Sequence, residues 1–96
     1  MSGAVPQISL GDLSQFRVSI ISASWHEQIC AYLIGGARKA LEAAKIKPEP
    51  VIYVPGSFEL PLAAQLALDS GFDAAVVLGV VLRGETPHFD YVCQGV

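Results

Sequence analysis

Residues whose types and spacing can do chemistry gather in three short stretches. The most distinctive is GVVLRGETPHFDYV, residues 79–92, where an apolar run stops and Thr86, Pro87 and His88 follow in quick succession. Thr86 is a good N-cap and Pro87 a favoured first helical residue, so a helix is predicted to start here with His88 at its second position. The positive end of the helix dipole disfavours an added proton on that ring. A neutral imidazole can accept a proton and hand it back, which is general acid–base work. A merely structural histidine fits the position equally well. The amides around Glu85 and Thr86 offer an anion site beside the ring. Asp90 either orients the imidazole or answers the dipole, and Arg83 either binds an anion or joins an ion pair.

The other two stretches are Ser24-Trp25-His26 and Pro55-Gly56-Ser57-Phe58-Glu59. Trp25, the single tryptophan, can stack on a flat heterocycle or pack as a rim residue under a helix. His26 reads first as a polar start to the following helix and second as a catalyst. In the Gly56–Glu59 turn, free amides and the Ser57 hydroxyl can bind oxygens, because the first N–H groups of a helix lack internal partners. Glu59 either complements the dipole of that helix or turns its carboxylate towards a polyhydroxylated ligand.

Alternating elements must position these stretches. Phe16–Ser22 is short and β-branched and reads as a first strand. From Glu27 to Ala44 the apolar positions Ile29, Leu33, Ala37, Ala40, Leu41 and Ala44 form a helical stripe, with Pro48 and Pro50 as its terminators. Pro50–Val54 is a second strand. Glu59–Leu68 is helical, with Pro61 tolerable in the first turn and Gly71 closing it. Ala74–Leu82 is a third strand, apolar throughout, whose two faces should both be covered. Strands alternating with helices predict an α/β fold: an open, flavodoxin-like parallel sheet with helices on both faces, in three layers. In such sheets ligands bind beyond the carboxyl ends of the strands, where all three stretches fall.

Composition sets the outer limits. Ninety-six residues make one domain, here 15–96, preceded by a loosely held arm at 1–14. A chain of this length buries only about 60–65% of its unfolded surface. Yet 52% of its residues are apolar, which predicts burial in a compact core or against neighbouring subunits. No apolar run reaches the ~18–20 residues of a membrane span. The opening MSGAVPQISLG lacks the basic and apolar regions of a signal peptide, so the expectation is a cytoplasmic protein with no membrane partner. A net charge of −3 argues against nucleic acid. Cys30 and Cys93 have no His or Cys at metal-site spacing, a disulfide is not expected in a cytoplasmic protein, and both read as reduced core or helix-face residues. No metal site is expected from the cysteines.

Taken in order, Ser24-Trp25-His26, PGSFELPLAA and GVVLRGETPHFDYV resemble the three signature segments of the lumazine synthase family, over a match from about Phe16 to the last residue. The third segment is the most specific. The resemblance implies condensation of 5-amino-6-(D-ribitylamino)uracil with 3,4-dihydroxy-2-butanone 4-phosphate to 6,7-dimethyl-8-ribityllumazine, in riboflavin biosynthesis, without cofactor. It matches Trp25 to the aromatic that stacks on the pyrimidine, and Ser57, Phe58 and Glu59 to the segment holding the ribityl chain and ring edge. Val80, Val81 and Leu82 match the stretch whose backbone pairs with the uracil edge. Glu85 and Thr86 match the contacts to the phosphate-bearing substrate, and His88 matches the proton-transfer residue.

Family members run about half as long again. The resemblance therefore implies that the rest of the third helix, a fourth strand and the terminal helices lie beyond this chain. A phosphate-binding arginine and a residue from a neighbouring subunit go with them. The family assembles as homopentamers, sometimes as icosahedral shells of pentamers. Two other readings remain: a non-catalytic ligand-binding or shell-forming module of the same fold, and an archaeal-type riboflavin synthase, which the Gly-Glu-Thr-Pro-His segment fits less well.

Overall fold

The structure, a computed structural model, describes residues 12–84 and 86–96. Three parallel strands form one sheet in the order β2-β1-β3, with β1 at Val18–Ala23, β2 at Ile52–Val54 and β3 at Ala74–Leu78. Helix α1 (Glu27–Ala43) links β1 to β2, and α2 (Leu60–Asp69) links β2 to β3. A third helix, α3 (His88–Gly95), follows β3. The two crossovers run in opposite directions from the centre of the sheet, so right-handed connections must put their helices on opposite faces. The packing agrees. Val18 meets Leu41, Ala44 and Ile46 on the α1 side, while Ile21 meets Leu60, Ala63 and Ala67 on the α2 side. The architecture is the expected flavodoxin-like open sheet, with the strand order of that class.

Details of the elements differ from the sequence reading, each for a local reason. Strand β1 begins at Val18 rather than Phe16, because the Arg17 carbonyl is taken by the N–H of Asp73 at 2.8 Å and the Arg17 N–H by the Asp73 carboxylate at 2.7 Å. The Arg17 guanidinium lies 4.2 Å from the Phe72 ring centre and 3.4 Å from the Glu49 carboxylate, so one side chain ties three segments together at the end of the sheet where β1 begins. Helix α1 stops at Lys45, not at the prolines. Lys45 adopts a left-handed backbone (φ 64°), and the Ile46 N–H returns to the Leu41 carbonyl at 2.9 Å. Gly71 (φ 111°) ends α2 in the same way, with the Phe72 N–H on the Ala67 carbonyl at 3.2 Å. The inward stripe of α1 is also rotated from the one expected. Ile29, Leu33 and Ala40 face outward, whereas Cys30 and Ala44 are buried and Ile34, Ala37 and Leu41 half-buried.

The third strand is the main correction. Its ladder ends at Leu78, not Leu82, and neither face is fully covered: Val77 is 44% exposed. It lies at the sheet edge, so only one neighbour and part of each helix reach it. The strand buried on both faces is β1, all six of whose residues are inside. Its two serines, Ser19 and Ser22, fit there because they are small. Ser22 donates its hydroxyl to the Ala23 carbonyl at 2.9 Å, whereas the Ser19 hydroxyl has no partner among the described residues. Leu62, Leu66 and Tyr32 remain exposed, so the chain does not cover its own apolar excess.

Of the expected N-terminal arm, residues 1–11 lie outside the described residues. Beyond them Leu13 packs on the Val18–Ala44–Ile46 cluster, and its N–H reaches the Ala44 carbonyl at 3.4 Å. The neighbouring Asp12 carboxyl is held below its ordinary range by hydrogen bonds from Ser14, first from the hydroxyl and then from the backbone N–H.

Two stability predictions follow from this packing. Ser19→Ala removes a buried, unpaired hydroxyl, and urea unfolding should show stability unchanged or raised by up to about 1 kcal/mol. Loss of more than that would mean the hydroxyl has a partner. Gly79, just past β3, has the opposite sign. A methyl there would stand 2.8 Å from Ser57 Oγ and 3.0 Å from Leu60 Cδ1, so Gly79→Ala should cost about 1–3 kcal/mol in the same assay.

Candidate active site

In-register pairing brings the three strands to a common end. Ser22 of β1 lies opposite both Tyr53 of β2 and Leu78 of β3, so the chain leaves each strand at one level of the sheet. One cavity of about 490 Å³ opens there. That is the size range of small-molecule sites, which favour this edge of an open α/β sheet. The exit of β1 supplies Ala23, Trp25 and His26, and the exit of β2 supplies Pro55 to Glu59. The exit of β3 supplies Val80, Val81 and Leu82, and α3 adds His88 and Val92.

Each wall has its own cause. The Ser24 N–H and hydroxyl both donate to the Val54 carbonyl, at 2.9 and 2.8 Å, and fix the point where the chain leaves β1. Trp25 then projects outward, 69% exposed. Beyond β2, residues Ser57–Glu59 of the expected strand-to-helix turn form a separate 3-10 turn, and α2 begins at Leu60, one residue after the expected Glu59. The Glu59 N–H returns to the Gly56 carbonyl at 3.2 Å. A methyl on Gly56 would stand 3.4 Å from the Glu59 carboxylate and 3.9 Å from the indole Cδ1. Both are ordinary contact distances, so an acidic and an aromatic group close over this one turn. Of the two readings for Glu59, the one facing the cleft fits this geometry.

Past Leu78 the chain leaves the ladder, so Val80–Leu82 carry peptide groups that sheet pairing does not use. Helix α3 begins at His88, one residue later than predicted, with Pro87 as the flanking residue. The Thr86 hydroxyl still accepts the His88 N–H at 3.4 Å. Val92, one turn on, is buried and shares the cavity wall with His88. The far end of α3 rests on the 3-10 turn. A methyl on Gly95 would run into the Phe58 ring.

Eight of the ten residues that the resemblance assigns to the site share this cavity: Trp25, Ser57, Phe58, Glu59, Val80, Val81, Leu82 and His88. Thr86 is not in its wall, and Glu85 lies outside the described residues. Arg83 and Asp90 pair with each other at 3.5 Å, and the guanidinium lies 4.4 Å from the Phe89 ring centre. Asp90 is therefore engaged away from the imidazole. Sequence reading missed Val92, whose spacing of four from His88 was the available signal; His26, read first as a polar start to a helix, stands at the N-cap of α1 and also lines the cavity. Among the described residues no cluster of His, Cys, Asp and Glu can hold a metal ion. No helix there is long and apolar enough to cross a membrane. Cys30 and Cys93 are free thiols.

The sequence is similar to those of known proteins. A family model described as 6,7-dimethyl-8-ribityllumazine synthase matches residues 15–96. A protein of that name from Streptomyces avermitilis is 48% identical over all of this chain and 60% of its own length. One from Clavibacter michiganensis is 54% identical over 84% of this chain and 50% of its own length. A third, from Pseudarthrobacter chlorophenolicus, is 54% identical over 98% of this chain and 62% of its own. The chain thus spans between half and two thirds of the length of these relatives. On this evidence the chain belongs to the 6,7-dimethyl-8-ribityllumazine synthase family.

Proposed function

We propose that the chain forms the pyrimidine-binding part of a lumazine synthase active site and that its protein joins 5-amino-6-(D-ribitylamino)uracil to 3,4-dihydroxy-2-butanone 4-phosphate. The observation that carries this reading is a cavity lined from all three strand exits. In this assignment Trp25 stacks on the pyrimidine, and Ser57, Phe58 and Glu59 hold the ribityl chain and ring edge. The free peptide groups of Val80, Val81 and Leu82 pair with the uracil edge. Glu85 and Thr86 contact the phosphate-bearing substrate beside them.

The chemistry suits such groups. The 5-amino nitrogen adds to the ketone carbonyl and loses water to give an imine. Phosphate then leaves as the carbon chain is deprotonated, and the ribityl-bearing nitrogen closes the ring with loss of a second water. Every step moves a proton to or from nitrogen, oxygen or carbon, and none changes the net oxidation level. An imidazole able to shuttle protons is therefore sufficient, and His88 takes that role. Holding two substrates against one wall supplies much of the remaining acceleration. The protein works as a cytoplasmic homo-oligomer built on pentamers, singly or as icosahedral shells, with neither nucleic acid nor membrane as partner. The uncovered apolar side chains of α1 and α2 support an assembly, and the net negative charge supports the exclusion of nucleic acid.

Mixing the two substrates with the full protein and following lumazine absorbance tests the reading. His88→Ala should lower kcat roughly a hundredfold, and an equal rate in the variant would remove the role given to the imidazole. Binding has its own readout, because the single tryptophan reports on the cavity. Ribityllumazine should quench Trp25 emission, and Trp25→Phe should weaken binding about three- to tenfold. Unchanged emission on adding the ligand would count against the assigned stack.

A further inference from the structure

We propose that His26 is a positioning residue: its left-handed backbone, rather than its imidazole, holds the Trp25 indole over the cavity. This rests on the reading of the cavity given above. His26 has φ 59° and ψ 57°, and Lys45 is the one other non-glycine residue with positive φ among those described. The conformation is rare for a residue with a side chain, tolerated best by Asn, Asp and His, and worst by β-branched residues. Strain of this kind persists only where its surroundings hold it.

The surroundings do so from both ends. Upstream, Ser24 is fastened to the Val54 carbonyl by its N–H and its hydroxyl. Downstream, the buried Cys30 fastens two carbonyls, its N–H donating to His26 at 3.0 Å and its thiol to Trp25 at 3.4 Å. Strand β1 ends at Ala23 and helix α1 begins at Glu27, so three residues turn the chain from strand to helix, and the first of them, Ser24, is fastened to β2. The left-handed step at His26 completes that turn. It leaves the indole near Gly56 and the Glu59 carboxylate, on the wall of the cavity. The His26 side chain makes no capping hydrogen bond to α1, so helix capping does not explain the residue.

The test compares His26→Gly, His26→Asn, His26→Ala and His26→Val in the full chain, with circular dichroism to confirm folding. Two readouts are taken on Trp25: quenching by acrylamide without ligand, and quenching by 6,7-dimethyl-8-ribityllumazine. Gly and Asn adopt the left-handed region and should give the wild-type acrylamide constant. Val, or Ala should Val not fold, should shift that constant and weaken lumazine binding roughly tenfold. A wild-type acrylamide constant in the Val and Ala variants would overturn the proposal. So would Gly and Asn behaving like Val, since the imidazole would then be the active part. If lumazine fails to quench even the unaltered protein, the reading of the cavity falls, while the acrylamide series still decides whether His26 positions Trp25.

Discussion

Everything at the site depends on β1 lying between two parallel neighbours in one register. Because Ser22 faces both Tyr53 and Leu78, three chain segments leave the sheet together, and their side chains have nowhere to go but around one opening. A slip of one residue in either pairing would turn that strand's side chains to the other face of the sheet. The burial pattern enforces the register. Val18 belongs to the α1 side and Ile21 to the α2 side, and both are buried against helices. The Arg17–Asp73 bonds lock the opposite end of β1, so the strand is held at both ends.

Close approach is the second requirement. The 3-10 turn Ser57–Glu59 is the hub on which the other walls rest, and each meets it at a glycine. Gly79 passes against Ser57 and Leu60, Gly95 lies on Phe58, and Gly56 leaves room for the indole and the Glu59 carboxylate. A side chain at Gly79 or Gly95 would force its neighbours to shift, whereas a methyl at Gly56 would meet the indole and the Glu59 carboxylate at ordinary contact distance. The cavity is therefore shaped by where side chains are missing as much as by where they stand.

That division explains what the sequence made legible. Element order, parallel pairing, two-sided packing and the gathering of the strand exits all follow from local patterns: β-branched runs, helical spacing and breakers at the ends. Most of the candidate site was legible for the same reason, since topology alone carries loops after parallel strands to one edge. What escaped depends on partners distant in sequence. The extent of β3 could not be read from AAVVLGVVL, because an apolar run looks the same whether or not a neighbour pairs with it. The buried strand was instead the one with two serines. The terminator of α1 was hidden in Lys45, a residue with no special claim to left-handed geometry, while the nearby prolines drew attention. The pairing of Arg83 with Asp90 needed coordinates, as either could have faced the ligand.

The exposure of the site bears on how it would work. Trp25, Phe58, Glu59 and His88 are all open to water, and the cavity's firm support is Val92 below and the sheet behind. Charges and dipoles act weakly when solvated, so electrostatic stabilisation of a developing charge needs a drier surrounding than these walls provide. Stacking and hydrogen bonding can still orient a flat ring in such a place, because aromatic contact depends on area rather than on a low dielectric. A condensation that expels two waters and a phosphate gains more from exclusion of solvent. The proposed assembly meets that need, since a neighbouring copy covering the open side would dry the site and make proton transfer at His88 selective. In the proposed function, binding and turnover would thus make different demands on the same cavity: the first would rest on one chain's stacking wall, and the second would call for its cover.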